Sequence, residues 1–217
     1  NKFIYFILRN FSFLENLLII SKQKNTSGFS KISNPYIYGE VSISRTARFF
    51  PSNLIFKPFV ILSAIFLILY WKNNLNVFEN LKKSSVLESY SKKFFYFGLT
   101  SATFLILHAL FLGIDLNSDW FDRFKKLILI FFIFFEVLAQ FFLTINLYKF
   151  KIFIKNYIKY LIINLKIIFV ILISFVTIII TLMLSFDAID DQIKHVLEWN
   201  YFSVLLFYYL LSRFLWK

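Results

Sequence analysis

The 217-residue chain contains no cysteine, 4 glycines, 3 prolines, 1 methionine and 2 histidines. Without cysteine there is no disulfide framework, no thiolate nucleophile and no cysteine ligation of a metal. The two histidines, His108 and His195, show no ligand spacing, so no metal site is expected, and no cofactor signature is present. No glycine-rich phosphate loop, nucleophile–base arrangement or pair of catalytic carboxylates stands out. These absences point away from an enzyme. Acidic residues are scarce too: 12 Asp and Glu face 24 Lys and Arg, a net charge of +12. The basic residues fall between apolar runs, where attraction to anionic head groups and the fixing of topology explain them better than a nucleic-acid partner.

What the chain has in abundance is apolar surface. Hydrophobic residues make up 59% and aromatics 22%, and the mean hydropathy is +0.70. A soluble domain of this composition would aggregate, so lipid is the expected solvent for most of the chain. The length suits one bundle of about five or six spans and no second sizeable domain. The 32 Phe, with abundant Ile, Lys, Asn and Tyr, use A/T-rich codons. That suggests a low-GC bacterial or an organellar genome, and Phe and Lys frequencies are discounted as functional signals for that reason.

The stretch 127–148 is the organising element, apolar for about the 20 residues that a helix needs to cross a bilayer. It carries Glu136, Gln140 and Thr144 at i, i+4 and i+8, on one helical face. A carboxylate at that depth normally faces protein or water. It either carries a proton, cation or polar substrate group, or hydrogen-bonds neighbouring helices and fixes their packing. A lone acid favours the packing role. His108, on the preceding span, lies close enough in depth to meet Glu136 if their helices are adjacent.

Further spans are predicted at 54–71, with Pro58 in its first turn, and at 94–113, 164–186 and 199–216. Residues 3–20 are apolar but carry Arg9, Asn10 and Glu15. They are either a first span or an amphipathic helix lying in the interface. The expected fold is an all-α transmembrane bundle of six spans, five if 3–20 lies flat, forming a single domain over 1–217. An external polar loop at about 21–53 includes a short strand at 36–43.

Lysines set the orientation. Lys72, Lys82, Lys83, Lys92 and Lys93 fill the 72–93 loop, and Lys149, Lys151, Lys155, Lys159 and Lys166 the 149–166 loop. The 114–126 and 187–198 loops are rich in aspartate instead. The lysine-rich loops are therefore expected to be cytoplasmic, with Arg213 and Lys217 holding the C-terminus inside. A bacterial inner membrane is the expected location, with an organellar inner membrane as the alternative.

Three other patterns stand out. Ser174, Thr177, Thr181 and Ser185 line one face of the 164–186 span and read as a close-packed interface with hydroxyls bonded back to their own helix. Lys151, Lys155 and Lys159 recur beside Phe150, Phe153, Ile154 and Tyr157 as a basic, interfacial amphipathic segment. In the polar stretch 38–52, Arg45 and Arg48 could grip a phosphate or lipid head group, with Glu40, Ser42 and Ser44 beside them. Alternatively, that stretch is a hydrogen-bonded lid over the bundle mouth.

Several of these features together resemble the six-helix DRAM-like family of membrane proteins, the autophagy-modulator and Sfk-type group. They are the Ser/Thr-bearing external segment leading to Pro51-Ser52-Asn53-Leu54-Ile55-Phe56, the Glu198-Trp199 pair at the opening of the last span followed by Phe207-Tyr208-Tyr209, and the inferred topology. The resemblance touches about a quarter of the chain. Glu40 stands before the serines, unlike the acidic residue of the family's first external segment. The resemblance implies a non-enzymatic membrane protein associated with lipid or trafficking homeostasis.

The functional expectation is a small integral membrane protein that binds membrane lipids, or protein partners within the membrane. One rival is a transporter or proton-conducting protein using Glu136, His108 and Gln140. Another is an accessory subunit of an organellar membrane complex.

Overall fold

The computed structural model describes residues 35–38, 42–43, 52–84, 89–114, 118–185 and 191–216. Its described residues are all-α: a helical turn α1 (Pro35–Tyr38) and five long helices. These are α2 (Ser52–Lys83), α3 (Lys93–Phe111), α4 (Asp119–Lys149), α5 (Tyr160–Ser185) and α6 (Asp191–Leu215). Consecutive long helices pack against each other, and α1 rests on α6. The span anticipated at 3–20 lies outside the described residues.

Several boundaries differ from the sequence reading. Residues 36–38 form a helical turn, not the start of a strand, with Pro35 at the first helical position, where its fixed φ suits a helix. The helix α2 runs on to Lys83, through what reads as a polar loop, because Trp71, Leu75, Phe78 and Leu81 keep a helical apolar stripe beyond the hydropathy peak. Its start at Ser52 puts Pro58 inside the helix instead of in its first turn, so the hydrogen bond to the Leu54 carbonyl is missing. The helix α6 begins at Asp191, about two turns before Glu198-Trp199, so that pair lies within the helix.

The seam between α3 and α4 is built of phenylalanine. Phe97 stacks on Phe135 and Phe142 at centroid distances of 6.0 and 5.5 Å, and Phe104 on Phe135 at 5.8 Å. The positions of these Phe, whatever sets their number, build this interface. Between α2 and α3 the approach is closer still, with the Trp71 indole lying where a side chain on Gly98 would have to go. The turn out of α3 uses Gly113 at φ 79°, a left-handed conformation that glycine adopts without steric cost.

Antiparallel packing gathers the lysines at one end. Asn146 Nδ2 donates to the Ser91 carbonyl at 2.8 Å, and Phe78 meets Phe150 at 6.4 Å, which brings the ends of α2 and α4 beside the start of α3. Between α4 and α5 the chain makes turns in which Phe150, Ile154 and Ile158 point inward while Ile152, Phe153 and Tyr157 are exposed. This segment is tied to the C-terminus by Lys159 N–H donating to the Leu215 carbonyl at 3.0 Å and by an Ile158–Trp216 bridge.

Among the described residues four helices are long and apolar enough to cross a membrane: α2, α3, α4 and α5 over Tyr160–Ile178. Their apolar windows have mean hydropathies of 2.2, 1.7, 2.5 and 2.7, yet only 11, 28, 39 and 22% of each window is buried within the protein. Surface this greasy and this open needs lipid or another apolar partner around it. Among the described residues α6 falls short of the same measure. It carries Glu198, Asn200, Ser203, Ser212 and Arg213 among its apolar residues.

Candidate functional site: a buried polar cluster

A helix crossing an apolar medium satisfies its own backbone, so polar side chains within it must find partners on their own or neighbouring helices. In α4 the face bearing Glu136, Gln140 and Thr144 turns into the bundle, and all three are buried. Glu136 has no exposed surface, and three donors surround its carboxylate. Ser101 Oγ of α3 donates to Oε2 at 2.7 Å, Gln140 Nε2 to Oε1 at 2.9 Å, and the Tyr209 hydroxyl of α6 also to Oε1. One acid thus joins α3, α4 and α6. Both carboxylate oxygens are used, so its burial is compensated by hydrogen bonds.

The cluster continues toward the lysine-rich end. The Thr144 hydroxyl meets the Tyr208 hydroxyl at 3.1 Å, and that hydroxyl also donates to the Gln140 carbonyl at 3.3 Å. Lys166 of α5 is fully buried. Its Nζ donates to Ser212 Oγ at 2.7 Å and lies 3.6 Å from the centre of the Tyr208 ring. Ser212 Oγ also pairs with the Tyr70 hydroxyl of α2 at 2.9 Å. The Tyr70 and Tyr209 rings meet edge to face at 5.0 Å. Every long helix contributes a polar side chain to this core. Gln140 Oε1 is buried without a hydrogen-bond partner among the described residues, which leaves an acceptor open in the cluster.

The structure thus brings Glu136, Gln140 and Thr144 together. The α3 side chain that reaches Glu136 is Ser101, about two turns along from the half-buried His108. Lys166 is a correction: it is not a loop lysine but a buried residue in the second turn of α5, which begins at Tyr160. The sequence reading assigned no role in this core to Ser101, Lys166, Tyr70 or Ser212, and it used Tyr208 and Tyr209 only for a family resemblance. Lys166 did carry a signal, since it is flanked by Ile162, Ile163, Ile167 and Val170 at helical spacing.

Of the other candidate residues, Glu40, Ser44, Arg45 and Arg48 lie outside the described residues, and Ser42 is buried. Trp199 packs edge to face on Tyr36 at 5.5 Å, next to Asn200, whose Nδ2 donates to the Tyr36 carbonyl at 3.0 Å. The pair Glu198 and Trp199 thus sits where α1 docks on α6. In the hydroxyl row of α5, Thr177 bonds back to the Ile173 carbonyl at 2.8 Å as expected. The side chains of Thr181 and Ser185 lie outside the description. Among the described residues no group of three or more His, Cys, Asp and Glu could hold a metal ion.

Fold and cluster together define an all-α chain with at least four helices fit to cross a membrane, knit by a buried polar core. No protein-family model, curated protein or solved structure matches the chain.

Proposed function

We propose that the chain is a six-span integral membrane protein without catalytic chemistry, whose work is to bind membrane lipids and protein partners within the bilayer. The observation that carries this reading is the outer face of α2. Leu54, Ile55, Phe59, Leu62, Ile65, Phe66 and Leu69 are all exposed there, on a window only 11% buried. Such a face needs acyl chains or a partner helix against it. In this reading Glu136 is a packing residue, since its oxygens are occupied by donors from the protein itself. The lysine-rich end faces the cytoplasm, by the same charge asymmetry that orders the loops. The membrane is a bacterial inner membrane, or an organellar one if the chain serves as a complex subunit there. The resemblance to the DRAM-like group supports the same non-enzymatic, lipid-associated role.

Native mass spectrometry of the chain released gently from membranes tests the proposal. Bound lipid or a stoichiometric membrane partner is the expected result. A lipid-free, partner-free chain that moves protons in liposomes would replace it with the second reading, proton conduction. That reading draws on the presence of a buried acid, Glu136, and a buried amine, Lys166, in one hydrogen-bonded core.

A further inference from the structure

At the lysine-rich end, a cavity of about 490 Å³ opens between the end of α2 and the approach to α3. It is lined by Glu79, Lys82, Lys83, Ser89, Tyr90 and Lys92. Its charges are unevenly used. Lys92 Nζ donates to Glu79 Oε1 at 2.9 Å, and this bond raises the Lys92 pKa further, so that pair is satisfied within the cavity wall. Lys82 and Lys83 have no ion-pair partner among the described residues, and both are exposed. Once Glu79 is matched by Lys92, the described lining of the cavity carries two further positive charges.

A second observation is independent of charge. The Tyr90 hydroxyl is buried yet has no hydrogen-bond partner among the described residues. Its ring is fixed by stacking on Phe78 at 5.3 Å. Burial raises its pKa above the usual phenol range, so it stays an O–H donor at neutral pH. Each buried polar group left alone in a native fold calls for a partner, and the Tyr90 O–H has a proton to give to an acceptor. A donor and two spare ammonium groups around one cavity suit a phosphate.

The neighbourhood selects the form of that phosphate. Phe78 also touches Phe150, where the amphipathic segment begins. In that segment Ile152, Phe153 and Tyr157 are 72, 61 and 60% exposed, interleaved with Lys151, Lys155 and Lys159. Exposed apolar side chains between lysines suit the boundary where acyl chains give way to head groups. A free anion has no use for that apolar surface, whereas a phospholipid has.

We infer that the cavity bounded by Lys82, Lys83 and Tyr90 is a head-group site for an anionic phospholipid, whose acyl chains lie toward Ile152, Phe153 and Tyr157. The inference rests on the membrane reading given above and names a ligand class for one end of the bundle. Lys82 and Lys83 hold the phosphate by charge, Tyr90 donates to an oxygen, and Glu79 keeps Lys92 fixed at the rim.

The test uses the full chain in nanodiscs of phosphatidylcholine with a minor fraction of phosphatidylglycerol. After detergent exchange, retained lipid is counted by native mass spectrometry. The wild type is expected to keep phosphatidylglycerol in preference to phosphatidylcholine. The Lys82→Gln/Lys83→Gln variant should lose that preference by on the order of tenfold, as expected for removing two surface cations. Tyr90→Phe, which keeps the ring stacked on Phe78, should weaken it by a smaller factor. The charge-matched control Arg123→Gln/Lys126→Gln, at the opposite end, should leave it unchanged. An equal loss in the control, or no preference in the wild type, overturns the site. Displacement of the retained lipid by millimolar inorganic phosphate would overturn the lipid assignment in favour of a soluble anion. A chain that fails to enter nanodiscs at all overturns the membrane reading, whereas one that enters without preference overturns this inference alone.

Discussion

Lys166 Nζ lies 3.6 Å from the centre of the Tyr208 ring, and the adjacent Tyr209 donates its hydroxyl to Glu136. Two consecutive residues of α6 thus take hold of an amine on α5 and an acid on α4. Successive helix positions differ by about 100° in direction, so one helix can address both neighbours at the same height. The arrangement explains how α6, the least apolar of the long helices, is held in the bundle. Its tyrosines supply the polar contacts that the apolar faces of α4 and α5 cannot.

Changing Glu136 separates packing from proton traffic. Glu136→Gln keeps the shape: its amide oxygen can accept from Gln140 and Tyr209 as Oε1 does, and the Ser101 hydroxyl can rotate to accept from the new NH2. The fold should survive it. Glu136→Leu strands three donors from three helices and should cost roughly 1–3 kcal/mol, read as a loss of resistance to denaturing detergent. Wild-type protein in liposomes should show no proton leak. A pH-driven flux that vanishes in the Gln variant would overturn the packing role.

Lys166 tests whether the core needs an amine or only its volume. Lys166→Met keeps most of the volume and drops the donor to Ser212, so the expected change is within about 1 kcal/mol. Lys166→Ala leaves a hole between α5 and α6 and should cost about 2–5 kcal/mol. Thermal unfolding in micelles, followed by tryptophan fluorescence, gives both values. If Met proves as damaging as Ala, the amine itself holds the core together.

How much of this was legible in the sequence depended on contrast. Glu136 is conspicuous because it is the sole acid in an uninterrupted apolar run, and the Gln140 and Thr144 spacing placed all three on a single face. Lys166 is hidden for the opposite reason: it follows four other lysines at the edge of a basic loop, and hydropathy merges it with them. The far end of α2 is hidden likewise, since Lys72, Asn73, Asn74 and Asn76 outweigh Trp71, Leu75 and Phe78 in any average, though not in helical phase. Ser101, Tyr70 and Ser212 carry no signal of their own. A serine within a span, or a tyrosine near its end, is ordinary until the helix opposite shows what it faces. The spatial gathering of lysines at one end follows from antiparallel packing, which the alternation of charged loops already implied.

Gly98 is where α2 and α3 come closest. A methyl group built there overlaps the Trp71 indole, which is itself fully buried and packed against Phe94 at 6.4 Å. The indole is large and held on several sides, so it has little room to give. Gly98→Ala is expected to destabilise by about 1–3 kcal/mol, even though alanine favours helix over glycine by up to about 1 kcal/mol. Trp71→Phe in the same chain should recover part of the loss, because the smaller ring frees the space. No rescue in the double variant would mean that the penalty arises elsewhere.

Topology is tested by where single cysteines react, a clean measurement in a chain that has none of its own. Ser84, after α2, and Asn156, between α4 and α5, are exposed at the lysine-rich end. Ser118, before α4, and Gln192, in the first turn of α6, are exposed at the other. Each pair is separated from the other by a complete apolar helix, so a membrane-impermeant maleimide should reach only one pair from a given side. In the proposed orientation Ser84 and Asn156 lie on the cytoplasmic face, so in intact cells the reagent should label Ser118→Cys and Gln192→Cys and spare the other two. Permeabilisation should then expose Ser84→Cys and Asn156→Cys. The reverse pattern would keep the bundle and invert its orientation. Labelling of Ser118→Cys and Asn156→Cys from the same side would deny that α4 crosses the membrane, and with it the membrane setting of the Glu136 cluster.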